Sequence, residues 1–261
     1  MTVLNHQKEN YLLLKDQISV LVSKDIKLKY NSTALGFVWS LLTPLFQSMI
    51  YFFIFKVIMR FEAENYLLYL LSGTFLWQFF ANVVLMNGGI FLNNAGLLKK
   101  TAFPRSLLVY GTFCTESIQL LMTMVILLLA MGFFGVAISW TVLVNLPVIL
   151  LALGLFVTGL SFFHASTNTF FRDMERIVAI VFQAWMMLSP VFIPMEAVPE
   201  KYLALYRCNP MTVILEVWRN IFYEPKLDLI PLGLALVFGG LSYAIGWSVF
   251  CKSEPRLAEM M

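Results

Sequence analysis

An all-α polytopic membrane protein is the fold class that this sequence predicts, on three observations. Of 261 residues, 60% are hydrophobic and 13% charged, and the mean hydropathy is +0.80. An ordinary soluble domain is roughly half apolar and a quarter charged. Six segments are apolar over the ~20 residues that cross a hydrocarbon core: 34–59, 66–87, 106–131, 141–165, 176–194 and 229–250. Twelve of the 18 Lys and Arg fall on the side of the N-terminus, which puts both termini in the cytoplasm by the positive-inside rule.

Residues 1–33 precede the first span as a cytoplasmic amphipathic segment. Tyr11, Leu14, Ile18, Leu21 and Val22 form an apolar arc at helical spacing, with Lys15, Asp16, Ser19, Ser23 and Lys24 largely off it. That pattern predicts a helix lying along the inner membrane surface. No cleavable signal is evident, so the N-terminus is expected to be retained.

Residues 34–261 form the six-span bundle. Polar residues recur every three or four positions in three spans: Ser40, Thr43, Gln47 and Tyr51; Thr74, Gln78 and Asn82; Thr112, Glu116, Gln119 and Thr123. Such stripes face away from lipid. Two readings stand side by side, hydrogen bonding between helices and a polar path. Glu116 is the acid placed deep in a span, where a charge is costly; it is read either as a helix contact or as a group facing a polar substrate or proton. Tyr51 and Phe55 offer flat apolar faces to such a path. Trp39, Trp77 and Trp140 are read as interfacial anchors.

The fifth span has a charged foot, Arg172, Asp173, Glu175 and Arg176, and two closing prolines, Pro190 and Pro194. Asp173 is expected to cap the helix start and Arg172 to pair with Glu175 one turn on. A break at bilayer depth is tolerated only where protein or water satisfies the freed backbone. Beyond it, residues 195–223 read as two short external helices, because Pro199 and Pro210 interrupt them. The second places Ile214, Val217, Trp218 and Ile221 opposite Glu216, Arg219 and Asn220, an amphipathic pattern suited to the outer interface.

Several chemistries are excluded. The net charge of +3 comes from scattered residues, which gives no nucleic-acid surface. There is no Gly-Lys pair and hence no phosphate-cradling loop of its own. His6 and His164 stand alone and Cys114, Cys208 and Cys251 have no metal spacing. Gly159-Leu160-Ser161 followed by His164 is too slight a signal for a hydrolase, since Gly and Ser are routine in packed helices. Without internal repeats, and with Glu116 as the one carboxylate for ion coupling, a secondary transporter finds little support.

The cytoplasmic edges speak more clearly. "LLKKTAFPRSLLVY" is a basic connector in which Leu97, Leu98 and Phe103 would hold a surface helix at the membrane, with Lys99, Lys100 and Arg105 outward and Pro104 ending it. With "KDIKLKY", "LGFVWSLLTPL", "FFRDMER", "SPVF" and "NPMTVILEVWRN", this connector makes the chain resemble the membrane subunits of ATP-binding-cassette exporters for cell-surface polysaccharides, the O-antigen, capsule and teichoic acid group. The resemblance runs from Lys24 to the C-terminus. It implies a homodimer in the cytoplasmic membrane of a bacterium, surrounded by membrane lipids and driven by two copies of a cytoplasmic ATPase that carries the ATP and Mg; this chain would hold no cofactor and no catalytic or metal site. The substrate would be a lipid-linked polysaccharide, O-antigen first among the candidates. The connector 97–105 would couple to the ATPase, the foot of the fifth span would transmit its motion, and the external helices, with Pro190, Pro194, Trp218 and Arg219, would gate the exit. A permease for drugs or small lipids remains the alternative.

Overall fold

The computed structural model describes residues 2–30, 36, 38–62, 64–100, 103–136, 142–223 and 229–260, with the side chains of 2–13, 30, 100, 223 and 257–260 outside that description. The described chain is helical throughout, without strands. Helix α1 spans Thr2–Tyr30, α2 Val38–Phe52, α3 Tyr66–Gly88, α4 Ile90–Asn93, α5 Ala95–Lys100 and α6 Ser106–Phe133. Then follow α7 Val142–Phe170, α8 Met174–Met187, α9 Glu200–Arg207, α10 Pro210–Tyr223 and α11 Leu229–Met260. Helix α2 continues as a π-helical stretch, Phe53–Ile58. Among the described residues, five helices are long and apolar enough to cross a membrane: Val38–Ile58, Tyr66–Gly88, Ser106–Phe133, Val142–Phe170 and Leu229–Arg256.

The segment expected to be the fifth span behaves differently. Helix α8 is 14 residues long, about 21 Å at 1.5 Å per residue, and stops at Met187, seven residues before the expected end at Pro194. The prolines explain the stop. Pro190 cannot donate a helical hydrogen bond, and its ring disfavours the α conformation at Ser189.

Helix α3 is the hub. Along it Leu68, Leu70, Leu76, Phe80 and Val83 are fully buried, because α2, α6, α7, α8 and α10 all pack on it. An aromatic cluster fixes three of these helices together. Trp77 and Phe80 of α3 meet Phe182 and Trp185 of α8, with Phe80 to Phe182 at 4.8 Å and Phe80 to Trp185 edge-on at 5.3 Å, and Phe156 of α7 closes the group at 5.6 Å from Phe80. Offset and edge-on rings add to plain apolar burial. Trp77 is therefore core and not the interfacial anchor that its type suggested; Trp39 is half exposed, and Trp140 lies outside the described residues.

Helices α7 and α11 approach backbone to backbone. A Cβ on Gly246 would run into the carbonyl of Gly159, and one on Gly159 into the backbone at Ser242. Small residues permit such close packing where no hydrophobic effect drives helices together. Helix α2 is the opposite case, burying only Pro44 and Ser48 in its α-helical part.

Gly246→Val is expected to destabilise the protein by about 2 kcal/mol or more, within the overpacking range, whereas Gly240→Ala, whose Cβ meets nothing within 4 Å, should be neutral. Thermal unfolding of the detergent-solubilised protein, followed by size-exclusion fluorescence, checks the pair; equal melting points would contradict the close approach.

Candidate functional site

Three sets of polar contacts are organised around the bundle, and the first seals the break after α8. The turn exposes the carbonyls of Pro190, Val191 and Phe192. Arg219 of α10 donates from Nη1 to Pro190 O and from Nη2 to Val191 O at 3.2 Å. Tyr69 Oη donates to Pro190 O at 2.8 Å and Tyr66 Oη to Phe192 O at 2.9 Å. The guanidinium also lies on the Tyr69 ring, 3.5 Å from its centroid, and donates to Tyr69 Oη and Ser72 Oγ. Gly73 makes room for it, since a Cβ there would strike Arg219 Nη2.

Asn209 fastens the other side of the break. Its Nδ2 donates to Ser189 Oγ at 2.9 Å and its Oδ1 accepts from Trp185 Nε1 at 2.8 Å and from the amide of Met211 at 3.0 Å. The end of α8 and the start of α10 are thus one hydrogen-bonded unit. Helix α10 consequently lies inside the bundle: Met211, Ile214, Leu215, Trp218 and Phe222 are buried, and so is Arg219 at 6% exposure. The expected outer-interface helix with Arg219 on its polar side is corrected here, because the carbonyls of the break compete successfully for the guanidinium. Among the expected gate residues, Pro190 and Arg219 touch directly, while Trp218 packs edge-on against Phe222 at 5.1 Å.

The second set joins the three polar stripes. Gln78 Nε2 donates to Gln47 Oε1 at 2.7 Å, and Ser48 and Thr74 share a hydrogen bond at 2.7 Å. Glu116, 1% exposed, accepts from Asn82 Nδ2 at 3.1 Å and from Lys29 Nζ at 2.6 Å. Lys29 also donates to Gln119 Oε1 at 2.8 Å, and Gln119 Nε2 donates to the carbonyl of Ser40 at 3.2 Å. Tyr51 continues the seam outward from Gln47, and its ring and that of Phe55 lie 4.1 and 6.0 Å from Phe192. The stripes therefore pair with one another across α2, α3 and α6.

Two expected members stand apart. Thr43 is exposed and bonds back to Trp39 O, and Thr112 bonds back to Leu108 O. Sequence reasoning missed Lys29, which looked like one more cytoplasmic charge, and Asn209. The seam encloses a cavity of only about 10 Å³ between Pro44, Gln78, Glu116 and Gln119, at the lower limit for one water.

The third set forms the base of the bundle at the end where α1, α4 and α5 meet. Leu21 of α1, Phe91 of α4, Leu107 and Leu108 of α6, Phe162 of α7 and Phe250 of α11 make a second apolar cluster, against which Leu97, Leu98 and Phe103 pack. Lys99 and Pro104 are exposed, and the Lys100 side chain lies outside the described residues. Arg105 Nη1 pairs with Glu254 Oε1 at 3.6 Å, and Lys24 Nζ donates to Asn94 Oδ1 at 3.3 Å. Asn94, between α4 and α5, thus ties the connector to α1, and Arg105, just before α6, ties its far end to α11. Of the expected apolar arc in α1, Leu21 is buried and Ile18 half-buried, while Tyr11 lies outside the described side chains.

At the foot of α8, Arg172, Asp173, Glu175 and Arg176 are all exposed. Asp173 makes no side-chain cap. Asn168 provides one instead, its Oδ1 accepting from the Glu175 amide at 3.0 Å while its Nδ2 donates to Gly88 O at 2.9 Å. Among the described residues Arg172 and Glu175 form no ion pair, and exposed pairs of this kind add little.

These features define a helical membrane protein with a protein-sealed backbone break and a buried polar seam. The ABC-2 type transporter family matches residues 16–223, and the chain belongs to that family. It is 32% identical over 254 residues to the O-antigen export system permease protein RfbA of Klebsiella pneumoniae, covering 97% of this chain and 98% of that one. The Myxococcus xanthus protein of the same name is 26% identical over 92% of each chain. The polysialic acid transport protein KpsM of Escherichia coli is 19% identical over 96% of this chain and 98% of its own.

Arg219→Met should cost roughly 1–3 kcal/mol for each buried carbonyl left without a donor, chiefly at Val191. Gly73→Ala, by displacing the same guanidinium, should reproduce the loss, and the double variant should be no worse than the more severe single one in unfolding experiments.

Burial and then Glu196 raise the Glu216 carboxyl above its ordinary 4.5, against the opposing pull of Arg207 and Arg219. A carboxyl raised on folding binds its proton more tightly when folded, so its contribution to stability is full below pH 4.5 and lost as the pH rises through the raised value. Glu216→Gln should therefore raise the melting temperature at pH 7 and flatten its pH dependence; an unchanged profile would contradict this.

Proposed function

We propose that this chain is the transmembrane subunit of an exporter that moves a lipid-linked cell-surface polysaccharide, most closely of the O-antigen type, outward across the cytoplasmic membrane of a bacterium. The observation that carries the reading is the end-to-end likeness to relatives named for O-antigen export, reinforced by the more distant one named for polysialic acid transport. In this reading α8 and the turn after it complete a sixth crossing, both termini lie in the cytoplasm, and α9 and α10 stand at the outer side as the exit gate.

The chain has no nucleotide-binding loop in its sequence, so the energy comes from ATP and Mg bound on a partner ATPase. Two copies of this chain and two of the ATPase form the working complex. The connector, with Leu97, Leu98 and Phe103 in the apolar base, Lys99 and Pro104 exposed and Arg105 paired with Glu254, receives the ATPase's motion. The foot at Arg172, Asp173, Glu175 and Arg176 passes it to α8.

A sugar polymer presents a dense run of hydroxyls, and amides meet hydroxyls equally well as donors and acceptors. Ser40, Gln47, Gln78, Asn82, Glu116 and Gln119, with Tyr51 and Phe55 toward the outside, therefore supply the polar face of the path, opened between helices or subunits. Thr43 and Thr112 flank it. The lipid anchor stays with the membrane lipids beside the bundle.

Deleting the chain from its host should abolish the surface polysaccharide and leave the lipid-linked polymer on the inner face of the membrane. Purification of the solubilised protein should co-isolate an ATP-binding subunit that crosslinks from Lys99. A normal surface polymer in the deletion strain, or crosslinks from Lys99 that reach only lipid, would overturn the assignment.

A further inference from the structure

We propose that Lys29 and Glu116 are positioning residues for transport, tying α1 to the polar seam so that displacement of α1 releases α2 from α3 and α6. The proposal rests on the seam being part of the translocation path.

Its basis is a four-helix node. Lys29 stands in the last turn of α1, yet its Nζ lies 2.6 Å from a carboxylate ten positions into α6. Helix α1 reaches this depth because Leu21 seats against Gly111, where a Cβ would lie 3.4 Å from it. The same ammonium bonds Gln119, which holds the Ser40 carbonyl in the first turn of α2, and the same carboxylate bonds Asn82 of α3. One ion pair thus connects α1, α2, α3 and α6.

Burial decides what this connection can do. Glu116 is 1% exposed, whereas the Lys29 side chain keeps 28% exposure, so the lysine can leave toward water and the carboxylate cannot. A buried carboxylate deprived of its partner must recruit water or another donor. Helix α2 is poised to admit it. Around the node, polar bonds, Gln119 to Ser40, Gln78 to Gln47 and Ser48 to Thr74, hold a helix that fully buries only Pro44 and Ser48 in its α-helical part, with Leu45, Tyr51 and Phe52 half-buried against the core. Such bonds exchange with water or sugar hydroxyls at small net cost, unlike the apolar contacts of the rest of the bundle. Helix α1 is also bonded, through Lys24 and Asn94, to the connector read above as facing the ATPase. Withdrawal of α1 would therefore unlock the seam from its cytoplasmic end.

The test uses the full complex with its ATPase. Ser48→Cys and Thr74→Cys, introduced together with Cys114, Cys208 and Cys251 changed to Ser, report closure of the seam by disulfide formation. With Lys29 and Glu116 intact, crosslinking should fall at least threefold on adding a non-hydrolysable ATP analogue. In Lys29→Met/Glu116→Met, a neutral replacement that keeps the packing, crosslinking should no longer respond to nucleotide. Export should drop at least tenfold at an unchanged amount of assembled complex, and Lys29→Arg should restore it to within about twofold. If the Met pair does not assemble, Lys29→Gln/Glu116→Gln carries the same readouts. Nucleotide-dependent crosslinking that persists in the neutral pair, or export lost only in proportion to assembled protein, would overturn the proposal. Failure of the underlying path reading shows differently: export would continue at the parental rate with the seam locked by the Ser48→Cys/Thr74→Cys disulfide.

Discussion

A chain that stops being helical within a bilayer must hand its carbonyls to donors supplied by protein or trapped water. Here the donors are Arg219, Tyr69 and Tyr66, and much of the molecule around the break follows from that requirement. Tyr66 and Tyr69 begin α3, so α3 must stand beside the turn after α8. Arg219 must reach the same turn from α10, so α10 is drawn inward and its other residues become core. Gly73 lacks a side chain where the guanidinium passes. Asn209 then fixes the distance between the end of α8 and the start of α10, leaving α9 as the outer bridge between them.

Two kinds of cohesion divide the bundle. Helices α3, α7, α8, α10 and α11 are joined by buried rings, branched side chains and glycine-to-glycine contacts. Separating those surfaces forfeits close packing with no replacement except lipid. Helix α2 is joined to α3 and α6 in large part through amides and hydroxyls, which water can replace, beside half-buried Leu45 and Phe52. A rigid unit thus stands beside a partly exchangeable one, the combination that the proposed passage of a polar polymer would require.

Local pattern was enough to place the long helices and the polar registers, since both repeat at the period of an α-helix and concern one segment at a time. The stripes on α2, α3 and α6 were legible, and Ser40, Gln47, Gln78, Asn82, Glu116 and Gln119 do meet. What escaped depended on partners remote in sequence. Lys29 lies 87 positions from Glu116, and its charge had a sufficient explanation in membrane topology. Asp173 has the residue type of a cap, but the Glu175 amide is taken by Asn168 of α7, which its bond to Gly88 O holds in place. Trp77 resembles an interfacial residue by type alone, whereas its position halfway along the hub helix surrounds it with other rings. Arg219 had the period of a polar face shared with Glu216 and Asn220, and only the location of the freed carbonyls of Pro190 and Val191 takes its side chain inward.

The same reasoning separates the two ionised sites. Arg219 is buried among carbonyls and a ring on a helix welded into the apolar core, with several acceptors converging on one group, so its removal breaks a fixed structure. Glu116 is also buried, but its cation sits on another helix, at the end of a segment attached to the cytoplasmic layer, and remains partly open to water. An immobile charge with many fixed partners stabilises one arrangement; a buried charge whose principal partner can depart distinguishes two. The break after α8 is therefore a fixed joint, and the Lys29–Glu116 node is the place where departure of a partner would change the solvation of a buried carboxylate.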